Sequence, residues 1–135
     1  MSLRILLVED HEDTADVTAR LLRSCGHVVS VAKCYASAIK AGRSAFDLLL
    51  TDIGLPDRSG IDVFRELRQH ATFRSIALSA YGMPAEVQQC LDAGFDAHLL
   101  KPVDFAKLEE LINKLTWSTT ADSAPAVRAA QGSPA

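Results

Sequence analysis

The run Leu48-Leu49-Leu50-Thr51-Asp52 constrains the fold more than any other stretch of the chain. Three consecutive leucines carry no polar alternation. A strand built from them must be covered on both faces, as happens inside a parallel sheet. The run ends on a carboxylate and passes into Ile53-Gly54-Leu55-Pro56-Asp57-Arg58-Ser59-Gly60, a stretch rich in turn-forming residues. In open parallel α/β sheets the binding crevice lies beyond the carboxyl ends of the strands. Asp52 stands at such an end, and the remaining chain must supply whatever gathers around it.

Strand-like and helix-like patterns alternate on both sides of this run. Residues 3–8 read as an apolar strand, followed at once by Glu9-Asp10-His11-Glu12-Asp13. Ala15, Thr18, Leu21, Leu22 and Cys25 recur at three- and four-residue spacing, which predicts a helix with these residues inward and Gly26 at C′. Residues 27–32 are short and β-branched and predict a second strand; residues 36–42 predict a short Ala-rich helix and residues 46–51 the central strand. Residues 60–70 predict a helix capped by Ser59, with Val63, Phe64 and Leu67 inward. Residues 74–79 predict a strand ending in a hydroxyl. Pro84 suits the first turn of a helix that stops near Gly94. Residues 97–100 predict a fifth strand ending at Lys101-Pro102. Asp104 then caps a last helix with Phe105, Leu108, Leu111, Ile112 and Leu115 on its apolar face. Such alternation with short connections predicts an α/β fold, a parallel sheet with helices on both faces. From residue 118 the composition turns to Ala, Ser, Thr, Pro and Gly, which predicts a disordered tail or linker after a single domain at 1–117.

Composition excludes several classes. The net charge of −3 gives no basic excess for nucleic acid or a membrane surface. No apolar run approaches the roughly 18–20 residues of a membrane span. The N-terminus lacks the basic and apolar regions of a signal peptide, so a cytoplasmic location is expected. Cys25, Cys34 and Cys90 include no CxxC pair and imply neither disulfides nor zinc. They read as small, partly buried core residues, with Cys34 in a loop as an exposed thiol. His11 and His27 have no ligand partners at useful spacing, and no chemistry is assigned to them.

Parallel strands share one direction, so Glu9, Asp10, Asp52, Ser79 and Lys101 should meet at one edge of the sheet. Three carboxylates there repel one another unless a cation joins them. Oxygen ligands suit a hard divalent ion, and Mg²⁺ is the ion expected. The lysine and the hydroxyl suit an incoming anion. Carboxylate nucleophile, metal, hydroxyl and ammonium together describe a phosphoryl-transfer site. Each residue alone also fits a structural role: Glu9-Asp10 as a helix N-terminal charge pair, Asp52 and Asp57 as turn starters, Ser79 as a packing residue, Lys101 as a surface lysine and His98 as a packing or surface histidine. Their joint occurrence in this order is what points to function.

Those residues, with Pro56 and Gly60 after Asp52 and Pro102 after Lys101, resemble the receiver domain of bacterial two-component response regulators over residues 3–116. The resemblance implies a flavodoxin-like (βα)5 fold of strand order 2-1-3-4-5. It implies that Asp52 is the phosphoacceptor, taking a phosphoryl group from the phosphohistidine of a histidine kinase or phosphotransfer domain. Asp10 then corresponds to the direct Mg²⁺ ligand, Glu9 to its neighbour acting through water, and the Gly54 carbonyl to the third protein contribution, with Mn²⁺ able to substitute. Ser79 corresponds to the hydroxyl that bonds a phosphoryl oxygen, the Ala80 backbone and Lys101 to phosphate-binding groups, and Lys101-Pro102 to a cis peptide. His98 falls at the switch position, where Tyr or Phe is commoner. Gly54 and Tyr81 fall where the family tunes dephosphorylation.

Two contexts fit that resemblance: the receiver of a hybrid sensor histidine kinase and a stand-alone regulator. Thr51-Asp52-Ile53-Gly54-Leu55-Pro56, Leu78-Ser79-Ala80-Tyr81-Gly82-Met83 and Lys101-Pro102-Val103-Asp104 look more like hybrid-kinase receivers. The domain would catalyse its own phosphorylation and dephosphorylation and pass the signal to a downstream protein, with dimerisation on activation as in parts of the family. A different class, the aspartyl-phosphate phosphatases, usually places a second Asp two residues after the nucleophile, where this chain has Gly54. A degenerate receiver serving only as a binding module would not need Asp10, Asp52, Ser79 and Lys101 intact.

Overall fold

The leucine run is covered on both sides. Leu49 packs into one hydrophobic cluster, while Leu48 and Leu50 pack into another on the opposite face. All three side chains are sealed from solvent, each worth about 1.5–3 kcal/mol of transfer free energy. The structure, a computed structural model, describes residues 2–80 and 82–115. Its elements are β1 (Arg4–Val8), α1 (Glu12–Ser24), β2 (Val28–Ala32), α2 (Tyr35–Ala41), β3 (Leu48–Asp52), α3 (Gly60–Arg68), β4 (Arg74–Ser79), α4 (Pro84–Ala93), β5 (Ala97–Leu100) and α5 (Phe105–Lys114). The strands form one sheet of order β2-β1-β3-β4-β5, with every neighbouring pair parallel. The flavodoxin-like (βα)5 expectation is therefore met. The expected tail beyond residue 118 and Tyr81 lie outside the described residues.

Strand alternation sorts the helices into two layers. Ile5, Leu7, Leu48, Leu50, Ile76 and Leu78 meet Ala19 and Leu22 of α1 and Leu108 and Ile112 of α5. Leu6, Val8, Leu49 and Ala77 meet Ala38 of α2, four residues of α3 and Cys90 of α4. The helix starts carry the predicted caps: Ser59 Oγ accepts from Ile61 N at 3.0 Å, and Asp104 Oδ1 accepts from Ala106 N at 2.9 Å.

Several local expectations are corrected. The buried stripe of α1 is Ala15, Ala19 and Leu22; Leu21 and Cys25 are exposed. The stripe repeats at i, i+4 and i+7, and Leu21, one position from Leu22, points about 100° away from it. Cys25 is the C-cap of α1 rather than a core residue, and its thiol donates to Glu109 Oε2 at 3.2 Å. Cys34 is the half-buried N-cap of α2, with Sγ 3.3 Å from Ser37 Oγ, so it is not a freely exposed loop thiol. The central strand begins at Leu48 because Asp47 turns its carboxylate back onto Arg4, accepting from the backbone N at 2.8 Å and from the guanidinium at 3.0 Å. It ends at Asp52, one residue later than expected, because Asp52 still pairs in register with Leu78.

Candidate functional site

The carboxyl ends of β1, β3, β4 and β5 form one edge, and the predicted charged residues converge there. Glu9 follows β1 and is anchored by a backbone bond from its N to Ala32 O of 2.9 Å. Its Oε2 accepts from His11 N at 3.1 Å, so the first residues beyond the strand hold the carboxylate in place. Asp52 is the last residue of β3. Lys101 follows β5, which its own N–H extends by one bond to Ser79 O at 2.8 Å. The Lys101–Pro102 peptide is cis. Lys101 Nζ lies 2.9 Å from Asp52 Oδ2 and 2.9 Å from Glu9 Oε1. The first contact has hydrogen-bond geometry, whereas Glu9 Oε1 makes no directed hydrogen bond and contributes charge alone.

Glu9, Asp10 and Asp52 each offer a carboxylate oxygen within 4.8 Å of the others. Glu9 and Asp52 are buried, while Asp10 is exposed at the rim. Burial and the neighbouring Glu9 push the Asp52 carboxyl up to about 7, against the pull of Lys101. Burial would also raise Glu9, but its interactions with Asp52, the Lys101 ammonium and the His11 N–H together outweigh it and leave Glu9 below the usual carboxylate range. The two opposite shifts belong to one coupled pair, in which burial together disfavours both carboxylates being charged at once. Burial opposes the Lys101 charge, and the two carboxylates overcome it, holding the ammonium above its ordinary value. Three carboxylates face one ammonium, so the pocket remains short of positive charge. A buried oxygen with no directed donor and an all-oxygen ligand set fit a hard divalent cation.

Ser79 ends β4, buried, and its Oγ lies 2.7 Å from His98 Nε2. The predicted hydroxyl and the predicted switch residue are thus in direct contact. Ala80 follows, exposed at the same edge. Gly54 is exposed and pairs with Ser59 in a short antiparallel bridge that closes the loop after β3.

Three contributors escaped the sequence reading. Thr51 Oγ1 donates to the Asp52 carbonyl at 2.9 Å, bracing the strand end. His11, given no chemistry, is the N-cap of α1: its Nδ1 accepts from Thr14 N at 3.4 Å, while its backbone N orients Glu9. Asp57, read as a turn starter, instead reaches α2, accepting from Tyr35 N at 2.8 Å and Ala36 N at 3.1 Å. Thr51, adjacent to Asp52, and His11, adjacent to Asp10, lay where proximity in sequence could have flagged them; Asp57 did not, since its partners on α2 are distant in sequence.

A five-stranded parallel sheet of order 2-1-3-4-5 with an acidic cluster and a paired lysine beyond its strand ends defines a flavodoxin-like α/β domain with a charged strand-end site. The comparison with known proteins identifies the family: the response regulator receiver domain matches residues 5–113, and the chain belongs to it. Response regulator protein PmrA of Pseudomonas aeruginosa is 37% identical over 125 residues, covering 91% of this chain and 57% of that protein. Aerobic respiration control sensor protein ArcB of Escherichia coli K12 is 34% identical over 137 residues, covering 98% of this chain and 17% of that protein. The chain thus spans a little over half of the one relative and a sixth of the other. Among solved structures, the receiver domain of a sensor histidine kinase from Pseudomonas aeruginosa PAO1 superposes with a TM-score of 0.75 at 31% identity, covering 84% of this chain and 96% of that one. That structure has a magnesium ion coordinated in its active-site cleft. Among the described residues, no helix of this chain is long and apolar enough to cross a membrane.

Proposed function

We propose that this chain is a phosphorylation switch in which Asp52 accepts a phosphoryl group from the phosphohistidine of a histidine kinase or phosphotransfer domain. The observation that carries the reading is the Asp52 carboxylate held 2.9 Å from Lys101 Nζ beside Glu9 and Asp10. An Asp52 oxygen attacks phosphorus, the P–N bond breaks, and the imidazole leaves with its electron pair. Asp10, Glu9, Asp52 and the Gly54 carbonyl would hold Mg²⁺, which when bound supplies charge neutralisation to the phosphoryl oxygens. Lys101, already at the acceptor oxygen, pairs with the transferred group. Ser79 donates its hydroxyl to a phosphoryl oxygen and the Ala80 N–H offers a second donor.

Signal leaves the site through Ser79. In the unphosphorylated chain its hydroxyl contacts His98. Turning that hydroxyl toward the phosphoryl group keeps the His98 contact only with Nε2–H donating to Ser79 Oγ and breaks it in the other tautomer, and this biases the β5 edge between two arrangements. A cytoplasmic setting, a downstream protein target and phosphorylation-linked dimerisation accompany this reading. The similarity to both a response regulator and a sensor protein leaves the parent as either a stand-alone regulator or a hybrid kinase, and the residue patterns around Asp52 and Ser79 favour the hybrid.

The test is incubation with Mg²⁺ and a small acyl phosphate or a phosphorylated kinase, followed by intact-mass measurement. Wild type gains one base-labile phosphoryl group, and Asp52→Asn gains none. Labelling that persists in the variant, or its absence from wild type with every donor, overturns the proposal.

A further inference from the structure

The loop between β3 and α3 is fastened at both ends and also at its tip. At its base, Gly60 N donates to Ile53 O at 2.8 Å, and Gly54 bridges Ser59. Ser59 caps α3, and its own N–H is taken by Asp62 Oδ2 at 3.3 Å. The tip, Asp57-Arg58, leaves this closed unit and crosses to α2. Asp57 Oδ1 accepts from Tyr35 N at 2.8 Å and from Arg58 N at 3.0 Å, while Oδ2 accepts from Ala36 N at 3.1 Å. The Arg58 guanidinium lies over the Tyr35 ring, 4.4 Å from its centroid, with Nε 3.5 Å from Asp62 Oδ2.

This arrangement has a local cause. The N-cap of α2 is Cys34, and a thiol is a weak acceptor for the free amides of a first turn. Cys34 and Ser37 form a capping box that reaches only the third-position amide, and Asp57, more than twenty residues downstream, takes the amides of the first two positions, Tyr35 and Ala36. Charge-assisted bonds of this kind are short and directional, and the amides hold the exposed Asp57 carboxyl below its ordinary range. Cation over ring and anion over amides run between the same two segments, so the loop tip has one preferred seat.

We propose that Asp57 is a positioning residue for the metal site: by capping α2 from outside, it fixes the loop that presents the Gly54 carbonyl. The inference rests on the metal reading given above. Gly54 has no neighbour within 4 Å of where a side chain would project, so no packing locates it from that side. The loop that carries it is held by the hydrogen bonds at its base and by the bonds of its tip to α2. Release of the tip allows the 54–58 backbone to sample other arrangements, and a ligand that is not pre-oriented weakens cation binding.

The experiment is Mg²⁺ titration of the full chain by calorimetry, paired with hydrogen exchange, for wild type, Asp57→Ala and Asp57→Asn. Asp57→Ala should raise the Mg²⁺ Kd by roughly tenfold, the lower end for groups that orient metal ligands, and speed exchange at the amides of Tyr35, Ala36 and Gly54. Asp57→Asn retains one acceptor oxygen and should recover most of the affinity, which also guards against a folding defect in the alanine variant. A purely structural cap would lower Tm and speed exchange at Tyr35 and Ala36 while Kd stayed within about twofold; that result overturns the proposal and leaves the metal reading intact. Absence of Mg²⁺ binding in wild type overturns both together.

Discussion

Gly60→Ala tests how the phosphoacceptor is held. Gly60 is the first residue of α3, and a Cβ there would overlap the Asp52 carbonyl oxygen, while also lying 2.9 Å from its carbonyl carbon and 3.0 Å from Thr51 Oγ1. The first two are backbone atoms of the nucleophile residue, so no side-chain rotation relieves the overlap. Strand end and helix start must separate by about 1 Å to restore ordinary van der Waals spacing. That movement opposes the 2.8 Å bond from Gly60 N to Ile53 O. Overpacking costs about 1–3 kcal/mol and the weakened hydrogen bond about 1 kcal/mol. Better helix propensity returns up to about 1 kcal/mol. The net is about 1–4 kcal/mol, or roughly 4–16 °C in Tm for a domain of this size. An Asp52 displaced by about 1 Å should accept phosphoryl groups on the order of 100-fold more slowly. Thermal unfolding and timed acyl-phosphate labelling with Mg²⁺ measure the two effects. Gly54→Ala is the matched control: open space surrounds its added methyl and its φ lies outside the left-handed region, so Tm should hold. A Gly60→Ala protein with wild-type Tm and labelling rate would refute the claim that this contact fixes Asp52.

Other outcomes follow from the charge balance and the switch contact. In the metal-free protein the Asp52 pKa is raised to about 7 from 3.8, so the stability this group contributes is complete below about pH 4 and is lost as pH rises through 7. The loss is up to about 4 kcal/mol for Asp52 alone and smaller for the coupled pair, because Glu9 shifts the opposite way. Urea unfolding between pH 5 and 8 in chelator should show that decline, and saturating Mg²⁺ should reverse it; stability rising with pH across this range in chelator would contradict the assignment. Asp52→Asn should raise metal-free stability at pH 8 by about 1–3 kcal/mol, since it removes one buried like charge, and a destabilised variant would show that the Lys101 pair outweighs the repulsion. His98→Phe removes the 2.7 Å contact to Ser79; it should lower unphosphorylated stability by about 1 kcal/mol while preserving phosphoryl acceptance, with chemical denaturation and mass labelling as the two measurements.

Much of the architecture followed from local pattern. Three leucines without polar alternation required a strand covered twice, and Leu48, Leu49 and Leu50 are indeed divided between two cores. Capping residues, Pro84 and the apolar stripe of α5 placed helix starts and faces because these effects act within one or two turns. Phase along α1 was less legible: Leu21 looked apolar enough to be inward, yet the small residues Ala15 and Ala19 define the stripe, since helix and sheet approach closely where side chains are short.

Glu9, Asp10, Asp52, Ser79 and Lys101 could be assembled from the chain alone because parallel strands carry their C-terminal residues to one edge regardless of loop detail. Sequence could not show the opposed shifts of Asp52 and Glu9, since they depend on the two being buried together against one Lys101 ammonium. Nor could it show that Ser79 and His98, nineteen positions apart, touch through the pairing of β4 with β5. Asp57 is the clearest case. Its turn-forming character was local and visible, but its partner amides on α2 come near only once β1 pairs with both β2 and β3 and brings the two loops to the same edge. Periodicity and capping operate over a few residues and are written in order along the chain. Charge coupling and cross-loop hydrogen bonds depend on distances that exist only after the sheet has closed.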